Sequence, residues 1–403
     1  MKALLVHNYY QQPGGEDVVF QAEGELLEAG GCTVERYTVH NDAARDMGRL
    51  ALARDTIWNQ AQYLRIRERV RAFEPDVVHV HNTLPIISPA VYYAAHAGGA
   101  AVVQTLHNYR LICPSALLLR NGKPCELCVA KPVALPGVAF ACYRGSRAAT
   151  SVVAAMLAYH RLRRTYRDAV DRYVVLTEFA KRLFARGGLP EDRIRVKPNF
   201  LPGDPGVGQG DGGYALFVGR LSEEKGLRVL LDAWRIVGSR VPLRIVGDGP
   251  LMEEVASLAQ GMESVQVLGW LGPHEVMAQL KGAACLVIPS VWFEGYPMTL
   301  IEAFAVGTPV IASRLGALAE NVEHERTGLH FSAADAESLA AAIVRFAGEP
   351  QLARSMRREA RRTFEAKYSA GPNLAALMAI YDEAMASTET RRGARDVLGR
   401  SAT

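Results

Sequence analysis

Short runs of apolar and β-branched residues recur along this chain, each followed by a stretch with helical periodicity, and the whole series occurs twice. "ALLVH" (3–7), "CTVERYTV" (32–39), "DVVHVH" (76–81), "AAVVQTL" (100–106), "RYVVLT" (172–177) and "RIRVK" (193–197) read as strands of a first set. Helices are expected at 16–30 and from Glu178. "YALFVG" (214–219), "LRIVG" (243–247), "VQVLG" (265–269), "CLVIP" (285–289) and "PVIAS" (309–313) form the second set. Strand–helix alternation implies parallel sheets covered by helices on both faces. A chain of 403 residues is long enough for two such domains. The break between them is "PNFLPGDPGVGQGDGG" (198–213), rich in Gly and Pro and without hydrophobic periodicity. The expected organisation is an α/β chain of two doubly wound domains, 1–197 and 214–370, joined by the linker 198–213 and ending in a polar, disordered tail, 387–403. Open sheets of this kind bind ligands at the carboxyl ends of their strands, beside the point where strand order reverses, so a cleft between the domains is the expected site.

Charged residues make up 22% and hydrophobic residues 49%, the balance of a soluble protein. No apolar run approaches the roughly 20 residues that span a bilayer. "MKALLVHNYY" reads as a buried first strand and lacks a signal peptide's cleavage site, so a cytoplasmic location is expected. There the six cysteines would be reduced thiols or metal ligands. Residues 1–200 hold 26 basic and 18 acidic side chains. A basic first half suits an anionic partner (nucleic acid, a membrane surface or a phosphorylated substrate), or solvated helix faces.

Three stretches carry candidate chemistry. In "EGYPMTLIEAFAVG" (294–307), Glu294 lies in the loop after a strand and Glu302 within the first turns of the next helix. A carboxylate accepts two hydrogen bonds and so pairs with a vicinal diol such as a ribose. Taken singly, each glutamate also reads as an ordinary exposed or helix-dipole residue. In "VGRLSEEKGL" (218–227), Arg220 and Lys225 flank a helix N-terminus, a diphosphate site if the cations face inward. In "PGGED" (13–17), Gly14 and Gly15 let a ligand approach the backbone. The dinucleotide fingerprint G-x-G-x-x-G is absent there, which argues against a nicotinamide-dependent dehydrogenase.

"EGYPMTLIEAFAVGTPVIAS" resembles the E-x7-E region of the retaining glycosyltransferases of family 4, and "VGRLSEEKGL" resembles their diphosphate-binding segment. "VGDGP" (246–250), "GWL" (269–271) and "HERTGL" (324–329) follow in the family's order, and the likeness covers most of 1–385. The resemblance implies the GT-B architecture: two Rossmann-like domains facing across a cleft, with a final helix at 371–386 crossing back to the first. It implies that Glu302 holds the nucleotide ribose, that Arg220 and Lys225 hold the diphosphate, and that Glu294 contacts the donor sugar with the amides of Gly295 and Tyr296. Gly14 and Gly15 would approach the donor from the first domain, and the base would be read near Gly247 and Trp270. His107 in "TLHNYR" matches the family's active-site histidine; Asn108 stands where many relatives have Asp. The implied reaction is sugar transfer with retention from a UDP- or GDP-sugar to a glycan or lipid-linked acceptor, in cell-surface or exopolysaccharide assembly. No catalytic metal is implied. An inactive GT-B scaffold, a sugar-nucleotide epimerase and a phosphorylase are the alternatives.

Cys113, Cys125, Cys128 and Cys142 lie within an insertion at 107–145, spaced C-x11-C-x2-C-x13-C. One C-x2-C pair with two further thiolates is compatible with structural zinc; reduced buried cysteines and redox-active thiols are the other readings. "RGSRAATSVVAAMLAYHRLRRTYRDAV" (144–170) reads as a basic amphipathic helix. With Arg65, Arg67, Arg69 and Arg71 it could rest on anionic headgroups, placing the protein peripherally on the inner face of the cell membrane. No recognition helix or stacking-aromatic pattern supports nucleic-acid binding.

Overall fold

The computed structural model describes residues 1–11 and 14–400, the last ten of these as helical backbone. The chain forms two compact units. The first comprises Met1–Leu117, Glu126–Lys197 and the chain from Asn373 onward; the second comprises Leu118–Cys125 and Pro198–Pro372.

The first unit is built on six parallel strands: β1 (Lys2–Tyr9), β2 (Thr33–His40), β3 (Val77–Val80), β4 (Ala101–Leu106), β5 (Arg172–Val175) and β6 (Ile194–Val196). Their order is β2-β1-β3-β4-β5-β6. Ala3, Leu4, Leu5 and Val6 are all fully buried, because a parallel strand is covered on both faces and cannot alternate polar with apolar. Helix α1 (Gly15–Ala29) returns the chain from β1 to β2. Helices α2 (Arg49–Ile57), α3 (Gln60–Phe73), α4 (Ala90–Ala97), α5 (Arg147–Leu162) and α6 (Glu178–Arg186) complete the cover. The side chains of Asn59, Ser146 and Thr177 each accept a hydrogen bond from an amide in the first turn of the helix they precede, which satisfies donors the helix leaves free.

The final helix, Ala370–Arg400, packs Leu377, Ile380, Tyr381 and Ala384 into the same core as Ala3, Leu5, Phe20 and Val103. Its Glu383 Oε2 accepts from Nε of both Arg172 and Arg195, each at 2.8 Å. The helix continues through 387–400, where the sequence analysis expected a disordered tail. Thr388 is buried and donates to Asp171 Oδ2 at 3.2 Å, so packing holds a segment whose composition alone is loop-like. Residues 401–403 of that expected tail lie outside the described residues.

The second unit also has six parallel strands: β7 (Ala215–Val218), β8 (Leu243–Val246), β9 (Val265–Gly269), β10 (Cys285–Ile288), β11 (Val310–Ser313) and β12 (Gly328–Phe331). The order is β9-β8-β7-β10-β11-β12. β12 was not read as a strand in the sequence, where its four residues carry little β-branched character. Helix α7 (Leu227–Val237) follows β7 and helix α8 (Met298–Ala305) follows β10. Trp234, fully buried on α7, donates its indole N–H to Val241 O at 2.8 Å. The stretch 198–213 is irregular, as expected, yet it is not a free linker. Gly208 N bonds Val306 O, Gly210 N bonds Lys281 O and Gly212 N bonds Gly282 O, so it is stitched along the second unit.

The basic stretch 144–170 is broken. Helix α5 ends at Leu162, Arg164 takes a left-handed backbone (φ 55°), and a single short turn, Thr165–Asp168, follows. Arg161 donates to the carbonyls of Leu111 and Lys131 and therefore staples the cysteine-containing insertion. Arg164 pairs with Asp168 at 3.0 Å and Arg69 with Glu35 at 2.6 Å. Among the described residues no helix is long and apolar enough to cross a membrane.

Candidate functional site

In the second unit the strand order reverses between β7 and β10, which pair directly. The loops after these two strands therefore meet. They carry the two motifs read from sequence. Lys225 Nζ donates to Glu294 Oε1 at 2.8 Å, and Ser290 Oγ donates to the same oxygen at 2.5 Å. Glu294 is only 3% exposed. The loops are further locked by Val291 N to Glu224 O at 3.0 Å and by Gly226. A Cβ at Gly226, whose φ is +73°, would lie 1.9 Å from Pro289 O. Gly226 is also the residue before α7, and no side chain caps that helix start, so its first amides are free for an anion. Arg220 is exposed beside them, and no described side chain is recorded pairing with it.

Glu302 lies in α8, one turn in, and is half-buried. Burial raises its carboxyl above the ordinary value, and no neighbouring cation offsets that. A ligand that donates two hydroxyl hydrogen bonds would bring it back down. Tyr296 is buried, with its ring 5.9 Å from that of Tyr368. What Gly295 and Tyr296 can offer a ligand is thus backbone. Gly247 has φ +138°, and a Cβ there would sit 1.9 Å from Gly219 O. The close stitching of this turn to the loop after β7, with Leu221 N on Asp248 O at 2.9 Å, already requires the glycine. Trp270, next to Gly269, is 72% exposed, a large aromatic face left open beside the same loops.

In the first unit, His107 follows β4 and His81 follows the neighbouring β3. Their rings stack at 5.1 Å, with His81 Nδ1 2.9 Å from His107 Nε2. Burial pushes His107 down to about 3 and His79 to about 4, so both are neutral imidazoles at physiological pH. Asn108 donates to Glu16 Oε2 at 3.1 Å. An Asp at position 108 would face that carboxylate with a second acidic group instead of a donor. Gly14 N donates to Asp17 Oδ2 at 2.8 Å, and Asp17 Oδ1 holds His7 Nε2 at 2.6 Å. A Cβ at Gly14 or Gly15 would meet nothing within 4 Å. The fold does not need glycine at either position, so any requirement comes from a ligand. Residues 12 and 13, including Pro13 of "PGGED", lie outside the described residues.

None of the six cysteines is in a disulfide. Cys113 Sγ lies 3.2 Å from Ser115 Oγ, and Cys128 packs against Ala134, Val138 and Ala154. Cys125 lies in the segment that belongs to the second unit, while Cys113, Cys128 and Cys142 are in the first. A tetrahedral zinc site needs sulfurs about 2.3 Å from one ion. Among the described residues, the group with three ligand atoms within 4.8 Å of one another is Glu23, His79 and His81; the four cysteines form no such group. Nor is that trio an evident metal site, because the Lys197 ammonium lies 2.5 Å from Glu23 Oε1. Sequence reasoning missed Glu23, His81 and Lys197; the repeated histidine in "HVH" was the one visible signal.

Residues 6–199 match the profile described as "Glycosyl transferase 4-like domain", and residues 212–349 match "Glycosyl transferases group 1". The chain is 34% identical over 194 residues to exopolysaccharide phosphotransferase SCO2592 of Streptomyces coelicolor, 46% of this chain and 21% of that protein. It is 34% identical over 141 residues to the amylovoran biosynthesis glycosyltransferase AmsK of Erwinia amylovora, 32% of this chain and 35% of that one. The matches thus span well under half the length of these relatives. Among solved structures, Anabaena Alr3699/HepE in complex with UDP superposes with a TM-score of 0.67 at 16% identity, covering 95% of this chain and 100% of that one. Sucrose-phosphate synthase from Thermosynechococcus elongatus gives 0.69 at 18%, covering 96% and 99%. That likeness shows the GT-B fold, and the two profiles together cover more than three-quarters of the sequence. The chain belongs to the glycosyltransferases that join a family 4-like domain to a group 1 domain.

Proposed function

We propose that this chain transfers a sugar, with retention of configuration, from a nucleoside diphosphate sugar to a glycan or lipid-linked acceptor in exopolysaccharide assembly. The observation that carries the reading is the meeting of Lys225 and Glu294 at the β7/β10 switch point, beside an uncapped helix start and the exposed Arg220. The two cations and the α7 amides hold the diphosphate and stabilise the charge that develops on it. Glu302 receives the ribose hydroxyls. Glu294, fixed by Lys225 and Ser290, receives a hydroxyl of the donor sugar. The bond from the anomeric carbon to phosphate oxygen breaks, and a bond to the acceptor oxygen forms on the same face. The acceptor's proton passes to the departing diphosphate. None of these roles requires a protein nucleophile or a bound metal; orientation and charge stabilisation suffice. The assignment of His107 to the transferred sugar rests on its match to the family's active-site histidine. That HepE was solved with UDP favours a uridine donor.

On the acceptor side, the first unit has a cavity of about 610 Å³ lined by Gln11, Arg49, Leu84, Tyr143, Arg144 and Val152. Its mixture of apolar walls and cations suits an acceptor with an anionic group on an apolar chain. Leu50, which lines the cavity and is 88% exposed, would bring that mouth against a membrane surface. The test is transfer of labelled sugar from UDP- and GDP-sugars, together with the thermal shift each nucleotide gives to wild type and Glu302→Ala. One base should stabilise wild type by ~2.7 kcal/mol at 100 times its Kd and the variant much less. No stabilisation by any nucleotide, with no transfer, would overturn the reading in favour of a scaffold.

A further inference from the structure

Beneath His107 the first unit buries a chain of polar groups. Lys197 Nζ lies 2.5 Å from Glu23 Oε1 and also donates to Asn373 Oδ1 at 2.8 Å. Glu23 Oε2 lies 3.4 Å from His81 Nε2. His81 Nδ1 in turn contacts His107 Nε2 at 2.9 Å. Glu23, His79 and His81 are at most 4% exposed, and Lys197 1%. His79 sits alongside with both ring nitrogens on hydroxyls, Tyr381 at 2.8 Å and Thr105 at 2.7 Å. Hydroxyls donate or accept, so His79 imposes no direction on the chain.

The other contacts do impose one. Burial tends to raise the Glu23 carboxyl, but the Lys197 ammonium offsets it, leaving it below the ordinary value and ionised. An ionised carboxylate only accepts. The 3.4 Å approach lacks hydrogen-bond geometry, so it is electrostatics that puts the hydrogen on His81 Nε2: a ring lone pair against an anion is repulsive. A neutral imidazole has one N–H, so His81 Nδ1 is then an acceptor. The 2.9 Å contact is therefore donated by His107 Nε2–H. His107 is neutral too, so its Nδ1 holds a lone pair, and no described residue is recorded bonding that nitrogen. We propose that Glu23 and His81 are positioning residues that set the His107 tautomer, so that its Nδ1 accepts a hydrogen bond from a substrate hydroxyl rather than donating one to a phosphate oxygen. This rests on the reading of His107 as a substrate-facing residue. Lys197 keeps the carboxylate charged, and Asn373 and Tyr381 tie the assembly to the final helix.

The experiment is long-range ¹H–¹⁵N NMR of the full chain labelled at its ten histidines, with His107 assigned by the signal lost in His107→Gln. Wild-type His107 is expected as the Nε2–H tautomer. In Glu23→Gln the side-chain oxygen stays on Lys197 and the amide N–H faces His81 Nε2. His81 must then donate from Nδ1, and His107 flips to Nδ1–H. Sugar transfer should fall about tenfold in Glu23→Gln, and much less when the same change is made in His107→Gln. A wild-type proton on Nδ1, or no flip in Glu23→Gln, overturns the proposal; the wild-type spectrum decides alone if the variant folds poorly. Full transfer activity in His107→Gln would instead refute the role of His107 while leaving the tautomer result to stand or fall by itself.

Discussion

Replacing Lys197 by Met keeps the volume and removes the charge. Lys197 and Glu23 are each about 1% exposed at the side chain and 2.5 Å apart. The substitution therefore strands a carboxylate in the core of the first unit rather than merely deleting an attraction. Breaking a buried pair from one side costs about 3–5 kcal/mol, whereas removing both charges costs far less. For a unit of this size each kcal/mol moves the melting temperature by roughly 2–4 °C, so Lys197→Met should lower it by about 6–20 °C. The double variant Lys197→Met/Glu23→Gln should recover most of the loss. The pH dependence has a definite sign. In wild type the Glu23 carboxyl is held below its ordinary value, so the stabilisation is present above that value and lost as pH falls. In Lys197→Met the ammonium that offsets burial is gone, so the carboxyl rises. The variant is then nearest to wild type in acid, and its deficit grows by about 1.4 kcal/mol per pH unit above ~4.5 until the raised value is passed. The chain has two units and so two transitions; hydrogen exchange of the β1 and β3 amides reads the first alone. Two results would refute the reasoning: a single variant within ~0.5 kcal/mol of wild type at pH 7, or a double variant as unstable as the single one.

Arg220→Ala, at an exposed position, should leave stability within about 0.5 kcal/mol and lower turnover by roughly 10²–10³ if the cation stabilises the departing diphosphate; steady-state kinetics with saturating donor checks it. Gly15→Ala meets no atom in the fold, so its melting should match wild type while donor KM rises; an unchanged KM would remove Gly15 from the site. Gly226→Ala drives a Cβ to 1.9 Å from Pro289 O at φ +73° and should cost several kcal/mol, read by urea unfolding. For His79, burial depresses the ring to about 4. Its contribution is therefore whole above the ordinary value near 6.5 and is lost as pH falls from there to about 4, at up to about 1.4 kcal/mol per pH unit. His79→Gln should flatten that part of the stability profile.

The sequence by itself determined eleven of the twelve strands of the two sheets, missing Gly328–Phe331, together with the two-fold repetition of the α/β pattern and the loops that carry the donor motifs. These are local matters. A strand covered on both faces must be a run such as Ala3–Val6, and the loop that follows a strand must start at its carboxyl edge. For the same reason Glu294, Lys225 and His107 were legible as candidates, each beside a recognisable strand end. Only the tertiary structure decided which of them touch. Lys225 and Glu294 are 69 positions apart and meet because β7 and β10 are neighbours. Glu23, His81, Lys197 and Tyr381 come from α1, two strand ends and the final helix, and no spacing in the chain relates them. That 198–213 is tied along the second unit, and that the chain after 386 stays helical, have one physical reason. Gly-rich or polar composition records what a segment would do in water, whereas backbone bonds to Val306, Lys281 and Gly282, and the burial of Thr388, are supplied by the surface against which the folded chain lays it.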